Sequence, residues 1–281
     1  MSESPTPRVT VIGGGIMGAG IAFVARVGGF PVTIVESDDR FVAGARERVD
    51  HYEARARARD EHLADLGPFE VVTDLAAAVA DGEIVVEAVS EDLELKRSVW
   101  AAVGAAASDT AVLASNTSGL PIQVLGAAAG RPAQVVGLHF FNPVPAMSLV
   151  EVVRAPETSD ETMARALEFC ASLGKETIEV RDLPGFVTTR LGVLLMCEAM
   201  RVLQEGIASA ADIDTGMRLG YNHPVGPLAL ADRIGLDTLL LILDDLRVAY
   251  GDGFRAPPLL RQLVAAGNLG RKSGRGFYAY S

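Results

Sequence analysis

Cysteine is scarce in this chain. Only two occur in 281 residues, Cys170 and Cys197, each inside an apolar, helix-patterned stretch. They read as buried thiols of a reducing cytoplasm, not as a disulfide or a catalytic pair. No apolar run approaches the ~20 residues that a membrane-spanning helix needs, so no membrane span is expected. Positive charge is in deficit: 25 Lys and Arg against 36 Asp and Glu leave a net charge of −11. That balance argues against sequence-independent binding to nucleic acid. Aromatics make up 6%, and the single tryptophan, Trp100, falls in a helical pattern and reads as core. No metal-ligand set is assigned. The opening MSESPTPR is polar and carries prolines; it resembles neither a signal nor a transit peptide and is expected to fray up to the first strand. Apart from alanine-rich helices, no repeat or low-complexity segment stands out.

What is present is an ordinary globular composition, 49% hydrophobic and 22% charged, long enough for a full core and two domains. Its organising stretch is VTVIGGGIMGAGIA, from Val9 to Ala22. A short apolar strand runs into Gly13, Gly14 and Gly15, then Ile16, Met17 and Gly18 open a helix. Gly13, Gly15 and Gly18 stand in G-x-G-x-x-G register. The first permits a tight turn, the second lets a pyrophosphate reach the backbone, and the third allows close helix–strand packing. The free N–H groups and positive dipole end of the helix then face phosphate. A second strand, Val32 to Val35, ends at Glu36. A carboxylate there accepts the ribose hydroxyls of NAD and repels the extra phosphate of NADP. The expectation is a Rossmann site for NAD.

A helical excursion follows, at about 38–63. Within it Arg46, Asp50, Glu53 and Arg57 form a self-neutralising stripe. Arg48, Tyr52, Arg55 and Arg59 form a second stripe with no acid in it. This is either a solvated cationic face or a landing strip for a polyanion such as a phosphorylated pantetheine carrier. A strand (Phe69 to Thr73), a helix opening at Asp74 and a strand (Ile84 to Ala88) continue a parallel sheet. Beyond it lie Glu91, suited to a helix's first turn, and Lys96, readable as a surface cation. The strand Ala111 to Ala114 ends in Ser115, Asn116, Thr117 and Ser118. This polar loop suits turn chemistry and equally suits a substrate oxygen.

The strand Gln134 to Leu138 leads into His139, and Asn142 follows in the turn NPVPAM. The return strand, Ser148 to Val153, carries Glu151 inside an apolar LVEVV run. An acid there is out of place unless it is paired or on an edge. A His139–Glu151 contact would have the form of a general base oriented by a carboxylate. A helix (Asp160 to Leu173) and a strand (Glu176 to Val180) complete the sheet. After Asp182-Leu183-Pro184-Gly185-Phe186 the pattern turns purely helical. The fold class is therefore an α/β Rossmann-type domain with a mostly parallel sheet, residues 1–183, followed by a smaller all-α domain, residues 184–281. The apolar helix faces of the second domain look too wide to bury alone, which suggests a homodimer.

The chain resembles the 3-hydroxyacyl-CoA dehydrogenase family, in its short bacterial 3-hydroxybutyryl-CoA form. The likeness spans the whole chain and rests on GGGIMGAGIA, VVEAVSEDLELK, ASNTSGLPI, GLHFFNPVPAMSLVEVV, DLPGF, ADIDTGMRLGYNHPVGPLALADRIGLDT and LGRKSGRGFYAY. The resemblance implies that residues 13–18 hold the NAD pyrophosphate and Glu36 the adenosine ribose. It places Glu91, Lys96, Ser118 and Lys272 along the nicotinamide half. Ser118 and Asn142 would meet the 3-oxygen region of an acyl-CoA substrate, with His139 the acid/base and Glu151 its partner. Arg59 matches a CoA-contacting lysine of the family, which supports the cationic stripe with Arg55. Thr189 stands where the family carries an Asn beside the reacting carbon, so acyl preference is open. Two other functions remain in view: a dehydrogenase acting on a carrier-protein thioester or another 3-hydroxy acid, and a non-catalytic NAD-binding or structural protein.

Overall fold

The computed structural model describes residues 6–59 and 66–280. The start of the N-terminal tail and residues 60–63 of the expected excursion lie outside the described residues.

The chain divides into two compact units, residues 1–183 and 184–281. The first alternates β1 (Val9–Ile12), α1 (Ile16–Val27), β2 (Val32–Val35), α2 (Asp39–Arg57), β3 (Phe69–Val72), α3 (Leu75–Ala80), β4 (Ile84–Glu87), α4 (Leu93–Ala106), β5 (Val112–Ser115) and α5 (Ile122–Ala129). It closes with β6 (Val135–Phe140), β7 (Leu149–Arg154), α6 (Asp160–Ser172) and β8 (Glu176–Arg181). The eight strands form one sheet in the order β3-β2-β1-β4-β5-β6-β7-β8. All neighbours are parallel except β6 and β7. Strands β1, β2, β4 and β5 are buried along their whole length, as parallel strands covered by helices on both faces must be. The edge strand β8 carries glutamates and is mostly exposed.

Local signals set the helix starts. Asp38, Asp74, Asp92 and Ser159 each accept a backbone N–H of the helix that follows. Helices α1 and α5 have no such side-chain cap. At α5 the carboxylate of Asp182, about 60 residues away in sequence, accepts the N–H groups of Ile122 and Gln123 at 3.0 and 2.8 Å. Burial pushes this carboxyl above its ordinary value, opposed by those two bonds.

Three local expectations change. Helix α2 ends at Arg57 with a turn at 58–59, so the excursion is shorter than expected within the described residues. Strand β6 runs on to Phe140, because its ladder with β7 pairs Phe140 with Val150 and holds the backbone extended. His139 therefore lies inside the strand. Glu91 precedes the cap of α4, Asp92, and is not in the helix's first turn.

The second unit is built from α7 (Thr188–Gln204), α8 (Ala210–Gly220), α9 (Pro227–Ile234), α10 (Leu236–Tyr250) and α11 (Pro258–Ala265). Its core gathers Met196, Met200, Leu228, Leu239, Leu243 and Leu260. Cys197 is buried there and Cys170 in the first unit; both are free thiols. Burial pushes Cys170 up to about 12.

Candidate active site

Strand β1 delivers the chain into the glycine turn at the carboxyl edge of the sheet. Gly13 has φ of +94°, a conformation that L side chains rarely adopt, and a Cβ there would stand 2.9 Å from the carbonyl oxygen of Ala88. At Gly18 a Cβ would collide with the carbonyl of Gly13, so glycine lets α1 close onto the turn. A Cβ on Gly15 would meet nothing within 4 Å and would project into open space. That opening lies ahead of the uncapped first turn of α1, an arrangement suited to a phosphate. Ile16 is exposed, while Met17 turns its side chain onto the core. The N–H of Gly14 donates to Glu36 Oε1 at 2.9 Å. A cavity of about 720 Å³ runs along this edge, lined among others by Gly13, Gly15, Glu36, Arg48, Val89 and Ser90.

Beside the glycine turn lies a buried polar network. Lys96 is 1% exposed, which overturns its reading as a surface cation. Its Nζ is 2.6 Å from Glu87 Oε1 and 3.3 Å from Glu91 Oε2. Glu91 Oε1 in turn accepts from Thr117 Oγ1 at 2.6 Å and from the N–H of Ser118 at 2.9 Å. The polar loop thus does turn work at the carboxyl edge of the sheet, tied to Glu91. Thr117 Oγ1 also accepts from the N–H of Leu120, and Asn116 Oδ1 accepts from that of Phe140.

The third element is the pair on β6 and β7. Antiparallel register sets His139 opposite Glu151, and Nδ1 lies 2.7 Å from Glu151 Oε2. Glu151 is fully buried and His139 is 5% exposed. The ring of Phe141 packs against the imidazole at a centroid distance of 4.5 Å. An imidazole held through Nδ1 by a buried carboxylate presents Nε2 as the nitrogen for proton transfer.

The sequence and the fold are shared with known proteins. The model of the 3-hydroxyacyl-CoA dehydrogenase NAD binding domain matches residues 8–183, and that of the C-terminal domain matches residues 185–280. The chain belongs to the 3-hydroxyacyl-CoA dehydrogenase family. It is 44% identical over 275 residues to a probable 3-hydroxybutyryl-CoA dehydrogenase of Deinococcus radiodurans, covering 96% of this chain and 99% of that one. It is 40% identical over 285 residues to the mitochondrial hydroxyacyl-coenzyme A dehydrogenase of Rattus norvegicus, covering 97% and 91%. The crystal structure of the (S)-3-hydroxybutyryl-CoA dehydrogenase of Ralstonia eutropha superposes with a TM-score of 0.92 at 40% identity, covering 98% and 99%.

In this member of the 3-hydroxyacyl-CoA dehydrogenase family the cationic stripe divides. A second cavity, of about 510 Å³, is lined by Ile16, Arg48, Tyr52, Arg55, Asn142 and Pro143, together with Glu47 and His51 that the stripe spacing left out. Asn142 and Arg55 are thus brought together. Arg59 is exposed on the turn after α2 and is not among the residues lining that cavity. Arg48 Nη1 donates to the carbonyl of Gly14 at 3.2 Å, and its guanidinium packs over Gly44. It lines both cavities.

In the second unit Thr189 is the second residue of α7 and half-buried. Its neighbour Arg190 stacks on Tyr250 at 3.8 Å. Lys272 is hydrogen-bonded to Asp237 at 2.7 Å, and its ammonium holds that carboxyl below the usual carboxylate value. The closing aromatics are anchored by Asp232, which accepts from the N–H groups of Phe277 and Tyr278 and from the Tyr280 hydroxyl. A wider groove of about 980 Å³ in this unit is lined by Arg201, Arg255 and Arg261. Arg201 and Arg261 are already paired with Glu198 and Asp244.

Sequence reasoning missed Glu87, Asp182 and Asp232. Glu87 left one signal: an acid closing an otherwise apolar buried strand, nine residues before a lysine. The other two left none, since aspartate is common in loops and on helix surfaces.

Proposed function

We propose that this chain is an NAD-dependent dehydrogenase interconverting (S)-3-hydroxyacyl-CoA and 3-ketoacyl-CoA, with the short 3-hydroxybutyryl thioester as substrate. The observation that carries the reading is the 2.7 Å His139–Glu151 pair on adjoining strands. The glycine turn, the open space at Gly15 and the uncapped α1 fit a dinucleotide pyrophosphate. Glu36 would take the adenosine ribose, with Oε1 already engaged by Gly14. Glu91, Lys96 and Ser118 would hold the nicotinamide half.

NAD, when bound, supplies the hydride acceptor for C3 of the substrate. As the C3–H bond gives up its electron pair, the hydroxyl proton passes to Nε2 of His139, and C3 becomes a carbonyl. Glu151 keeps the Nδ1–H tautomer in place and stabilises the imidazolium that forms. In the reverse direction the imidazolium returns the proton. Ser118 and Asn142 orient the 3-oxygen, and Arg55 and Arg59 attract the CoA phosphates. The second unit supplies a homodimer surface, to which the exposed Leu191, Leu241 and Val248 belong. Among the described residues no helix is long and apolar enough to cross a membrane. The two buried free thiols are in keeping with a reducing, cytoplasmic setting.

The test is a substrate panel followed by NADH absorbance. Acetoacetyl-CoA, an acetoacetyl carrier-protein thioester and free acetoacetate are each offered with NADH and with NADPH. Turnover should be fastest with the CoA thioester, and NADH should be preferred by at least about tenfold because of Glu36. Faster use of the carrier protein or the free acid would move the substrate assignment. No turnover with any of the three overturns the dehydrogenase reading.

A further inference from the structure

Glu87 is fully buried and has no part in the proton transfer. It closes β4, in register with Ile12 on one side and Ser115 on the other. Ile12 leads into the glycine turn and Ser115 into the Asn116–Ser118 loop. Its Oε1 accepts from Lys96 Nζ at 2.6 Å and from the N–H of Val89 at 2.8 Å. Its Oε2 accepts from Ser115 Oγ at 2.7 Å and from Trp100 Nε1 at 3.3 Å. Four donors satisfy a carboxylate that offers about four lone-pair sites.

The chain of contacts does not stop there. Lys96 also faces Glu91 at 3.3 Å, and Glu91 carries the Thr117 hydroxyl and the Ser118 N–H. A continuous run of hydrogen bonds and ion pairs therefore joins the end of β5, Glu87, Lys96, Glu91 and the Ser118 loop. It is graded in exposure: the side chains of Glu87 and Lys96 are 0% and 1% exposed, that of Glu91 45%. A buried ion pair is by itself a poor sign of stability, since well-packed apolar residues often do as well. This pair instead holds the backbone of Val89 at the rim of the cavity that Glu36 and the glycine turn line, and reaches through Glu91 to the Ser118 loop beyond it.

We propose that Glu87 is a positioning residue for the nicotinamide half of the dinucleotide. It fixes the Lys96 ammonium and, through Lys96 and Glu91, the loop that carries Ser118. The adenosine half is left to Glu36 and the glycine turn, which share no hydrogen bond with Glu87 among the described residues. The assignment rests on the proposed function, in which NAD lies along this edge.

Glu87→Gln tests it. The substitution keeps the volume, removes the charge and turns one acceptor into a donor that must face Lys96, Val89, Ser115 or Trp100. NADH and ADP-ribose binding are measured by titration calorimetry, with thermal melting in each ligand. ADP-ribose lacks the nicotinamide. The variant should bind NADH at least about tenfold more weakly and ADP-ribose within about twofold of wild type, as expected when a buried hydrogen-bonded charge loses its partner on one side of a site only. Equal weakening of both ligands, or of neither, overturns the proposal. Should Glu87→Gln fold poorly, Glu87→Asp keeps the charge and leaves Lys96 in place but shortens the reach to its four donors. It should bind NADH several-fold more weakly and ADP-ribose within about twofold of wild type, and wild-type NADH affinity in it refutes the role. Wild-type protein that binds ADP-ribose but not NADH would overturn the cofactor reading itself.

Discussion

Replacing Glu151 by Gln isolates the electrostatic half of the acid/base pair. The side chain keeps its size, and its carbonyl can still accept from Nδ1 of His139, now 2.7 Å from the carboxylate. What disappears is a unit negative charge facing the imidazolium. With charge centres about 4 Å apart, a unit pair at an effective dielectric near 20 interacts by about 4 kcal/mol. Both partners are buried, so bulk water screens the pair little. The neutral hydrogen bond that remains offsets part of this, leaving about 3–4 kcal/mol, or a fall in kcat of roughly two to three orders of magnitude. A second effect acts in the same direction. The Gln amide can rotate to donate to Nδ1, which selects the tautomer with a proton already on Nε2. The assay is steady-state oxidation of (S)-3-hydroxybutyryl-CoA with NAD, with NADH affinity and melting temperature measured in parallel. NADH affinity should hold, because Glu151 does not line the cavity along the glycine turn. A loss of less than about tenfold in kcat, with affinity and melting unchanged, would show that the carboxylate only holds the ring and does not stabilise its charge.

Thr189→Asn should lower activity on longer or branched 3-ketoacyl-CoAs selectively and spare acetoacetyl-CoA, because Asn reaches further from the backbone than Thr; one common factor for all chain lengths would refute the pocket argument. Asp182→Ala should lower stability by about 1–2 kcal/mol, since two backbone N–H groups at the start of α5 lose their acceptor. Calorimetry should then record a melting point lower by roughly 2–8 °C, and an unchanged value would show that solvent replaces the cap at no cost.

Arrangements made by residues close together in the chain were legible in the sequence. The glycine turn could be read because its geometric demands fall on residues 13–18 themselves, and Glu36 because it ends the very next strand. The His139–Glu151 pair was legible for a similar reason: a short turn joins two strands of clear pattern, and an acid inside LVEVV needs a partner or an edge. The end of β6 was not, because pairing with β7, and not the composition of HFFNP, keeps the strand extended to Phe140. Only the tertiary structure decided that Lys96 is buried. Its helix reads as amphipathic with a lysine on a plausible outer face, and the acid that draws it inward sits on the far side of a strand–loop–helix junction. Asp182 and Asp232 show the same limit more sharply. Each caps backbone about 45 to 60 residues away in sequence, and no periodicity or turn signal marks an aspartate for such work. Backbone N–H groups at a helix start or in a tail need an acceptor wherever one can reach them, and which side chain reaches depends on how the sheet and helices close around it.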